Sequence, residues 1–439
     1  MPHLLGLFSV QGGEWFFADV GSRCSWPERV GRTRLHPIRV SAYERRRHYE
    51  IISIDVLQRL FHYLHDTAFG PPFDEDFRRS WDTYRSVNHA FAKAVIDVAR
   101  WSSEETVILI NDYHLLLVAG IARQNGNPGR STIVYSHGVP WCEPDYFCML
   151  PTAIRDEILT SLLCCDAVVF HSARWRDAFA ACCARHLRGA QLVDHAVRYS
   201  DRLTRLVVAP FPLDCANLLE LKSSSPGRFW RQRFEGLAGG RRMLVRVDRL
   251  DLWKNHIRGF VAYEALLRRR PRLVDEVWFL AVMTPPRYRS PLHYRYEASC
   301  RAAVQAINER HRDGRSDPVL LLGPGPPGET RARAIAALEL ATAVLVNPTY
   351  EGFSIVAKEA IFLGAASTVL LSTNAGAYEQ FGSTTAALDP FDVAGTTDAL
   401  EAALTEKTSV DFDERALWRE RIRSETGADW LRDVLAQAE

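Results

Sequence analysis

Strands alternating with helices along most of 439 residues predict an α/β protein, two doubly wound Rossmann-like domains facing a central cleft. Three observations carry this. Short apolar runs such as Val277-Trp-Phe-Leu-Ala-Val282 and Ala343-Val-Leu-Val346 have the length and content of buried parallel strands. Segments of helical period separate them. The alternation breaks at a polar stretch, Lys222-Ser-Ser-Ser-Pro-Gly227 followed by Gly239-Gly240, and then starts again. The expected domains are 1–220 and 240–439, the second including the terminal helix, and the chain is long enough to fill two cores.

Taken in order, the first residues are unusual for such a fold. Gln11-Gly-Gly13 reads as a turn into a strand, and no first central strand precedes it. A short strand is expected at 37–40. Ser41 then opens a helix, with Glu44 three residues on to complete a capping box. Residues 49–65 alternate apolar and polar faces and end in Leu60-Phe-His-Tyr63. A helix follows at 81–101, where Val87, Phe91, Ala94, Val95 and Val98 recur at helical spacing. Strands at 106–110, 131–135, 167–170 and 206–209 enclose helices at 115–123, 151–165 and 175–187. The second half has strands at 243–247, 277–282, 319–322, 343–346, 367–372 and 386–388. Its helices are expected at 255–268, 294–312 and 329–341, from Ser354 to a stop at Gly364, and at 393–404 and 415–438.

A net charge of +1 excludes the basic footprint of a nucleic-acid binder. No apolar run is long enough to span a bilayer, and the first residues lack the marks of a signal peptide. Nine cysteines at irregular spacing fit neither a disulfide framework nor a zinc site. Buried reduced thiols in a cytoplasmic protein are the expectation, and a homo-oligomer is left open. Cys142 sits in a loop but has no assignable base.

Sheets of this kind bind ligands beyond the C-terminal ends of their strands. In the first half Asp112, His137 and His171 fall there. In the second half, Glu351-Gly-Phe-Ser354 lies between the 343–346 strand and a helix N-terminus, where the dipole and N–H groups favour an anion. Glu359, about two turns into that helix, is within reach of a ribose hydroxyl. Arg249 and Lys254 lie across another strand-to-helix turn and suit a diphosphate. Two competing readings stand beside these: a plain βα unit, and a salt-bridge cluster in which Asp248 and Asp251 take the cations.

Asp248-Arg-Leu-Asp-x-x-Lys254 with Glu351-Gly-Phe-Ser-Ile-Val-Ala-Lys-Glu359 resembles the donor half of the trehalose-6-phosphate synthases, glycosyltransferase family 20. These are retaining nucleotide-sugar glycosyltransferases of the GT-B fold. Leu60-Phe-His-Tyr63, Asp112-Tyr-His-Leu-Leu116, His137-x-x-x-Trp-x-Glu-Pro144, Phe170-His171, Ala375-Gly-Ala377 and Ala428-Asp-Trp430 follow in family order. The resemblance implies that Arg249 and Lys254 hold the donor diphosphate and Glu359 the ribose. Glu351 would meet the transferred sugar, and Gly352, Phe353, Ser354 and Ile355 would face sugar and phosphate. His137 is implied near the reacting sugar and Asp112 at the donor–acceptor junction. Tyr49 and Arg287 match positions that grip an acceptor phosphate.

The departures matter as much. Gln58 stands where the family has tryptophan, Glu351 where it has aspartate, Asn255-His256 for Gly-Leu, and Phe353-Ser354 for Met-Asn. The family's glycine-rich loop and early arginine belong before Gln11. The implied function is therefore transfer of a sugar from a UDP- or GDP-type donor, without metal or other cofactor, to an acceptor other than glucose 6-phosphate. A place in secondary, antibiotic-type metabolism goes with it. Two alternatives remain. One is a validamycin-type pseudo-glycosyltransferase joining a nucleotide-cyclitol to an aminocyclitol phosphate through a C–N bond. The other is an inactive regulatory homologue that binds sugar phosphate or nucleotide.

Overall fold

Two units make up the chain: Met1–Pro212 with Thr426–Glu439, and Leu213–Glu425. The structure, a computed structural model, describes residues 12–21, 26–102, 105–125, 131–286, 288–312, 317–326, 328–364, 367–405 and 412–438.

Unit 1 opens with a three-stranded sheet of β1 (Gly13–Asp19), β2 (Arg29–Val30) and β3 (Thr33–Arg39). Here β3 pairs parallel to β1 and antiparallel to β2. The expected capping box is present. Glu44 N–H donates to Ser41 Oγ at 3.2 Å, and Ser41 N–H donates to the Glu44 carboxylate at 2.8 Å. The helix it starts, Ala42–Arg45, runs on into a π-helical segment, Arg46–Gln58. Then come α1 (Glu75–Ala99), β4 (Thr106–Asn111), α2 (Val118–Gln124), β5 (Ser131–Ser136), α3 (Thr152–Leu162), β6 (Ala167–Phe170) and α4 (Ala173–His186). The strands β7 (Gln191–Val193), β8 (Ala196–Tyr199) and β9 (Arg202–Val208) complete the unit's main sheet. Its order is β4-β5-β6-β9-β8-β7, parallel from β4 to β9 and antiparallel beyond. The β7–β8 hairpin was not expected from the sequence. Its strands are short, and β7 is largely exposed, so they carry no apolar signal.

Unit 2 begins at Leu213, ahead of the stretch expected to be a hinge, which lies inside it. The polar stretch is instead the junction of α5 (Cys215–Ser223) and α6 (Ser225–Ala238). Ser224 Oγ accepts from Gly227 N–H at 3.2 Å, and Pro226 sits in the first turn, where its missing N–H costs nothing. Gly239, at φ +58°, ends the helix in the left-handed region. The rest follows the expected alternation: β10 (Arg242–Arg249), α7 (His256–Arg269), β11 (Val277–Thr284), α8 (Pro291–His311), β12 (Val319–Leu322), α9 (Glu329–Leu340), β13 (Ala343–Val346), α10 (Ile355–Leu363), β14 (Thr368–Ser372), β15 (Ala386–Leu388), α11 (Val393–Thr405) and α12 (Phe412–Ser424).

The six strands are all parallel, in the order β12-β11-β10-β13-β14-β15. Successive residues serve opposite faces. Val245, Leu280, Val344 and Leu371 pack under α6, α9 and α10, while Leu244, Phe279, Leu345 and Leu370 pack under α7, α8 and α11. The order reverses between β10 and β13, and a doubly wound sheet opens its binding crevice at that switch point.

The single helix expected at 415–438 is broken. Thr426 and Asp429 cap each other reciprocally, at 3.1 and 3.2 Å, and start a separate helix, α13 (Gly427–Ala438). This helix belongs to unit 1 rather than to the second half. Trp430 Nε1–H donates to Ala209 O at 3.0 Å, and its ring packs on Phe211.

Candidate functional site

The switch point of unit 2 gathers charge. Arg246, inside β10, is fully buried, and a guanidinium there needs every donor satisfied. It donates to Asn347 Oδ1 at 2.8 Å and to the Lys254 carbonyl, and its Nε lies 3.2 Å from Asp248. Gly259 of α7 makes the room, since a Cβ there would meet Arg246 Nη1 at 2.8 Å. Asn255, at φ +60°, donates to Asn347 O at 3.0 Å and to Pro390 O at 2.7 Å. Thr349 N–H donates to Trp253 O at 2.8 Å. The turns after β10 and β13 are thus stitched into one rigid corner.

Lys254 points its ammonium between two carboxylates, 3.0 Å from Asp248 and paired with Glu351. Burial alone would lower its pKa, but Asp248 and Glu351 hold it charged, well above the ordinary lysine range. Arg249 pairs with Asp251 at 2.7 Å, and burial raises the Asp251 pKa above the ordinary carboxylate value. The salt-bridge arrangement weighed from the sequence is therefore present, in a largely buried form, in the place where a diphosphate was expected. His256 is fully buried, and burial, then Arg246 and Lys254, push its pKa far down, so the ring is neutral.

The Glu351 turn is fixed from the other side. Its N–H donates to Asn374 O at 3.1 Å, and Gly376 and Ala377 donate back to Glu351 O and Phe353 O. Ser354 stands at φ +92° immediately before α10, a strained position for a serine. Its hydroxyl is buried with no hydrogen-bond partner among the described residues, and the backbone of Gly352, Phe353 and Ile355 frames it. Glu359, the fifth residue of α10, is buried and gripped by Arg331 of α9 through both terminal guanidinium nitrogens. Arg331, Arg246, Asn347 and Gly259 were not singled out from the sequence. A lone arginine in the apolar strand 243–247 was the available signal for Arg246.

In unit 1 a second constellation lies at the ends of β4 and β5. Asp112 adopts φ +71° and accepts from Tyr113 N–H at 3.1 Å and Gly138 N–H at 3.3 Å. Burial raises its pKa to about 6. His137 is fully buried. Its Nδ1 bonds Tyr135 Oη at 3.0 Å and its Nε2 faces Pro140 O at 3.1 Å; burial pushes its pKa down to about 3. His171 Nδ1 lies 3.3 Å from Ala209 O. Tyr49 stacks on His114, His114 on Tyr113, and Gln58 Nε2 donates to Tyr113 Oη at 2.6 Å. Arg287 lies outside the described residues. Cys142 is fully buried, and burial raises its thiol pKa far above the ordinary value, which argues against a nucleophile. Among the described residues no helix is long and apolar enough to cross a membrane.

The model of glycosyltransferase family 20 matches residues 23–439. A bifunctional trehalose-6-phosphate synthase/phosphatase of Thermoproteus tenax is 27% identical over 410 residues, covering 93% of this chain but 54% of the relative, so the chain spans about half that protein's length. Among solved structures, an E. coli one, trehalose-6-phosphate bound with UDP-2-fluoro glucose, superposes with a TM-score of 0.87 at 22% identity, covering 100% of this chain and 95% of that one. A UDP-forming α,α-trehalose-phosphate synthase of Burkholderia xenovorans in complex with glucose-6-phosphate gives 0.84 at 22% identity, covering 100% and 97%.

Proposed function

The chain belongs to glycosyltransferase family 20 and has the GT-B fold, and on that footing we propose that it moves a sugar from a nucleoside diphosphate sugar to an acceptor other than glucose 6-phosphate. Configuration is retained, and neither metal nor cofactor takes part. The observation that carries this is the corner at the switch point of unit 2, where Arg249, Lys254 and the start of α10 converge.

In this reading Arg249 exchanges Asp251, and Lys254 exchanges Glu351, for the diphosphate, and both stabilise the charge that grows on it as the sugar leaves. Preorganised cations act most strongly where water is excluded, and Lys254 is largely buried. Ser354 Oγ and the backbone from Gly352 to Ile355 face the sugar and its phosphate. Glu351 binds sugar hydroxyls, and Glu359 takes the ribose. No carboxylate is assigned as a nucleophile, and the departing phosphate oxygen takes the acceptor proton. Asp112 orients the acceptor. His137, with both ring nitrogens engaged and a pKa near 3, shapes the pocket and moves no proton at neutral pH.

The acceptor differs because its contacts differ. Gln58 spends its amide N–H on Tyr113, where the family's tryptophan would offer a donor to a phosphate. Secondary metabolism in the cytoplasm is the setting that accords with this change. UDP-glucose and GDP-glucose would first be screened for thermal stabilisation. Nucleotide release would then be followed with an acceptor panel, with products read by mass spectrometry. Full turnover by Lys254→Ala would remove the diphosphate assignment. Nucleotide binding with no release for any acceptor would favour the inactive homologue instead.

A further inference from the structure

The charges of the unit 2 corner balance before any ligand arrives. Arg246, Arg249 and Lys254 meet Asp248, Asp251 and Glu351, three cations against three carboxylates. His256 adds none, being neutral. A nucleoside diphosphate sugar brings one negative charge per phosphate into this neutral set. Either the corner binds it against its own carboxylates, or one of them gives up its charge.

The pairs differ in how readily they can part. Arg246 and Asp248 are both interior, with side chains 0% and 3% exposed, and Arg246 is tied down by two further acceptors. Lys254 retains Asp248 even if Glu351 moves away. Arg249 is the accessible member: its side chain is 44% exposed, while that of its partner Asp251 is 4% exposed. When Arg249 turns outward to a phosphate, Asp251 stays buried and loses the cation that held its charge. A buried carboxylate in that position takes up a proton.

We propose that Asp251 is a positioning residue, one that holds Arg249 ready in the empty site and takes up a proton from solvent when Arg249 passes to the donor diphosphate. The step makes one O–H bond on the carboxyl group and breaks one O–H or N–H bond of hydronium or buffer acid, whose conjugate base stays in solution; on the protein only the ion pair with Arg249 is lost. The groups facing Asp251 support it. Burial opposes its charge most strongly; Arg249 and Lys254 favour the charge, and Glu351 and Asp248 oppose it. Removing Arg249 leaves two like charges against one cation.

This inference rests on the donor reading above, and its test separates the two. UDP-glucose and GDP-glucose are titrated by calorimetry in buffers of differing ionisation enthalpy near pH 7, which counts the protons exchanged on binding. Neither probe has a phosphate that titrates in this range, so any proton belongs to the protein. Wild type is expected to take up a fraction of a proton approaching one. Its affinity should weaken as pH rises from about 6 to 8, by up to tenfold per unit. Asp251→Asn is expected to bind with no net uptake and a flat pH profile. Its KM for the donor should rise more than its kcat falls. Binding by wild type without proton uptake overturns the inference alone. Uptake that survives in Asp251→Asn and disappears in Glu351→Gln overturns the assignment to Asp251. Should Asp251→Asn fail to fold, the wild-type proton count decides. No binding of either probe overturns the donor reading, and this inference with it.

Discussion

Tyr49 and Gln58 reach the same aromatic stack although nine residues separate them: Tyr49 lies on His114 at 5.4 Å, and Gln58 donates to Tyr113, the ring beneath His114, at 2.6 Å. At about 3.6 residues per turn, nine residues end half a turn out of phase. At the roughly 4.4 residues per turn of i→i+5 winding, nine is close to two full turns. The π-helical course of Arg46–Gln58 is what brings both side chains to one face.

That face sets the first expectation. Gln58→Trp removes the bond to Tyr113 Oη and supplies a donor directed at an acceptor phosphate. The ratio of kcat/KM for glucose 6-phosphate over the native acceptor should rise about tenfold, the worth of one charge-assisted hydrogen bond. A competition assay with both acceptors reads the ratio directly. No shift would count against the acceptor assignment of this segment.

Gly259→Ala should be costly for its size. The added Cβ would stand 2.8 Å from Arg246 Nη1 and 3.0 Å from Leu345 Cδ2, both in the packed interior. Overpacking of this kind costs about 1–3 kcal/mol. Urea midpoints would show it. Because Arg246 braces Asp248 and the Lys254 carbonyl, donor affinity should fall too. Gly236→Ala, where nothing lies within 4 Å, is the control: helix propensity should raise its stability by about 0.5–1 kcal/mol and donor affinity should not change.

Asp112 makes stability fall as pH rises. Its native pKa is raised by burial to about 6 from an ordinary value of 3.8. Between those values the native state binds the proton and the unfolded chain has lost it. The contribution is thus intact below about pH 4 and is lost as pH climbs to about 6. Asp112→Asn removes this slope. Relative to wild type the variant should gain stability from pH 4 to pH 7, measured as the difference in denaturation midpoints. Equal differences at both pH values would contradict the assigned shift.

Lys358, fully buried on α10 beside Glu359, pairs with Glu425 at 2.9 Å. Burial pulls its pKa down and Glu425 offsets part of that. Losing one partner should be worse than losing the lysine charge. Glu425→Gln is expected to cost about 2–4 kcal/mol, while Lys358→Met should stay within about 1 kcal/mol of wild type. Thermal unfolding of both variants would decide this, and the opposite ranking would refute it.

The sequence announces central strands well and their margins poorly. Met243–Val247 and Val277–Val282 are apolar because both faces of the unit 2 sheet are covered, so their positions were legible. Residues 191–199 lie at an open edge and carry no such pattern. Ser224-Ser-Pro226 has the composition of a loop, yet the same residues are an N-cap followed by a first-turn proline. Arg249, Lys254, Glu351 and Glu359 stand out as candidates in the sequence because their types and spacing survive in one dimension. Their partners were not fully visible. Arg331 reaches Glu359 from another helix, and a sequence does not show which of two carboxylates a lysine will share.

The return of Thr426–Glu439 to unit 1 has a consequence for how the polypeptide is made. Unit 2 is an uninterrupted stretch of chain and has all its residues once Glu425 has left the ribosome. Unit 1 does not, although its main sheet is synthesised much earlier. Until α13 emerges, the face of β6 and β9 that receives Trp430 and Val434 has no cover. The first unit to be translated is therefore the last to close. A chain truncated after Glu425 should keep a sound second unit and leave the first a target for proteolysis.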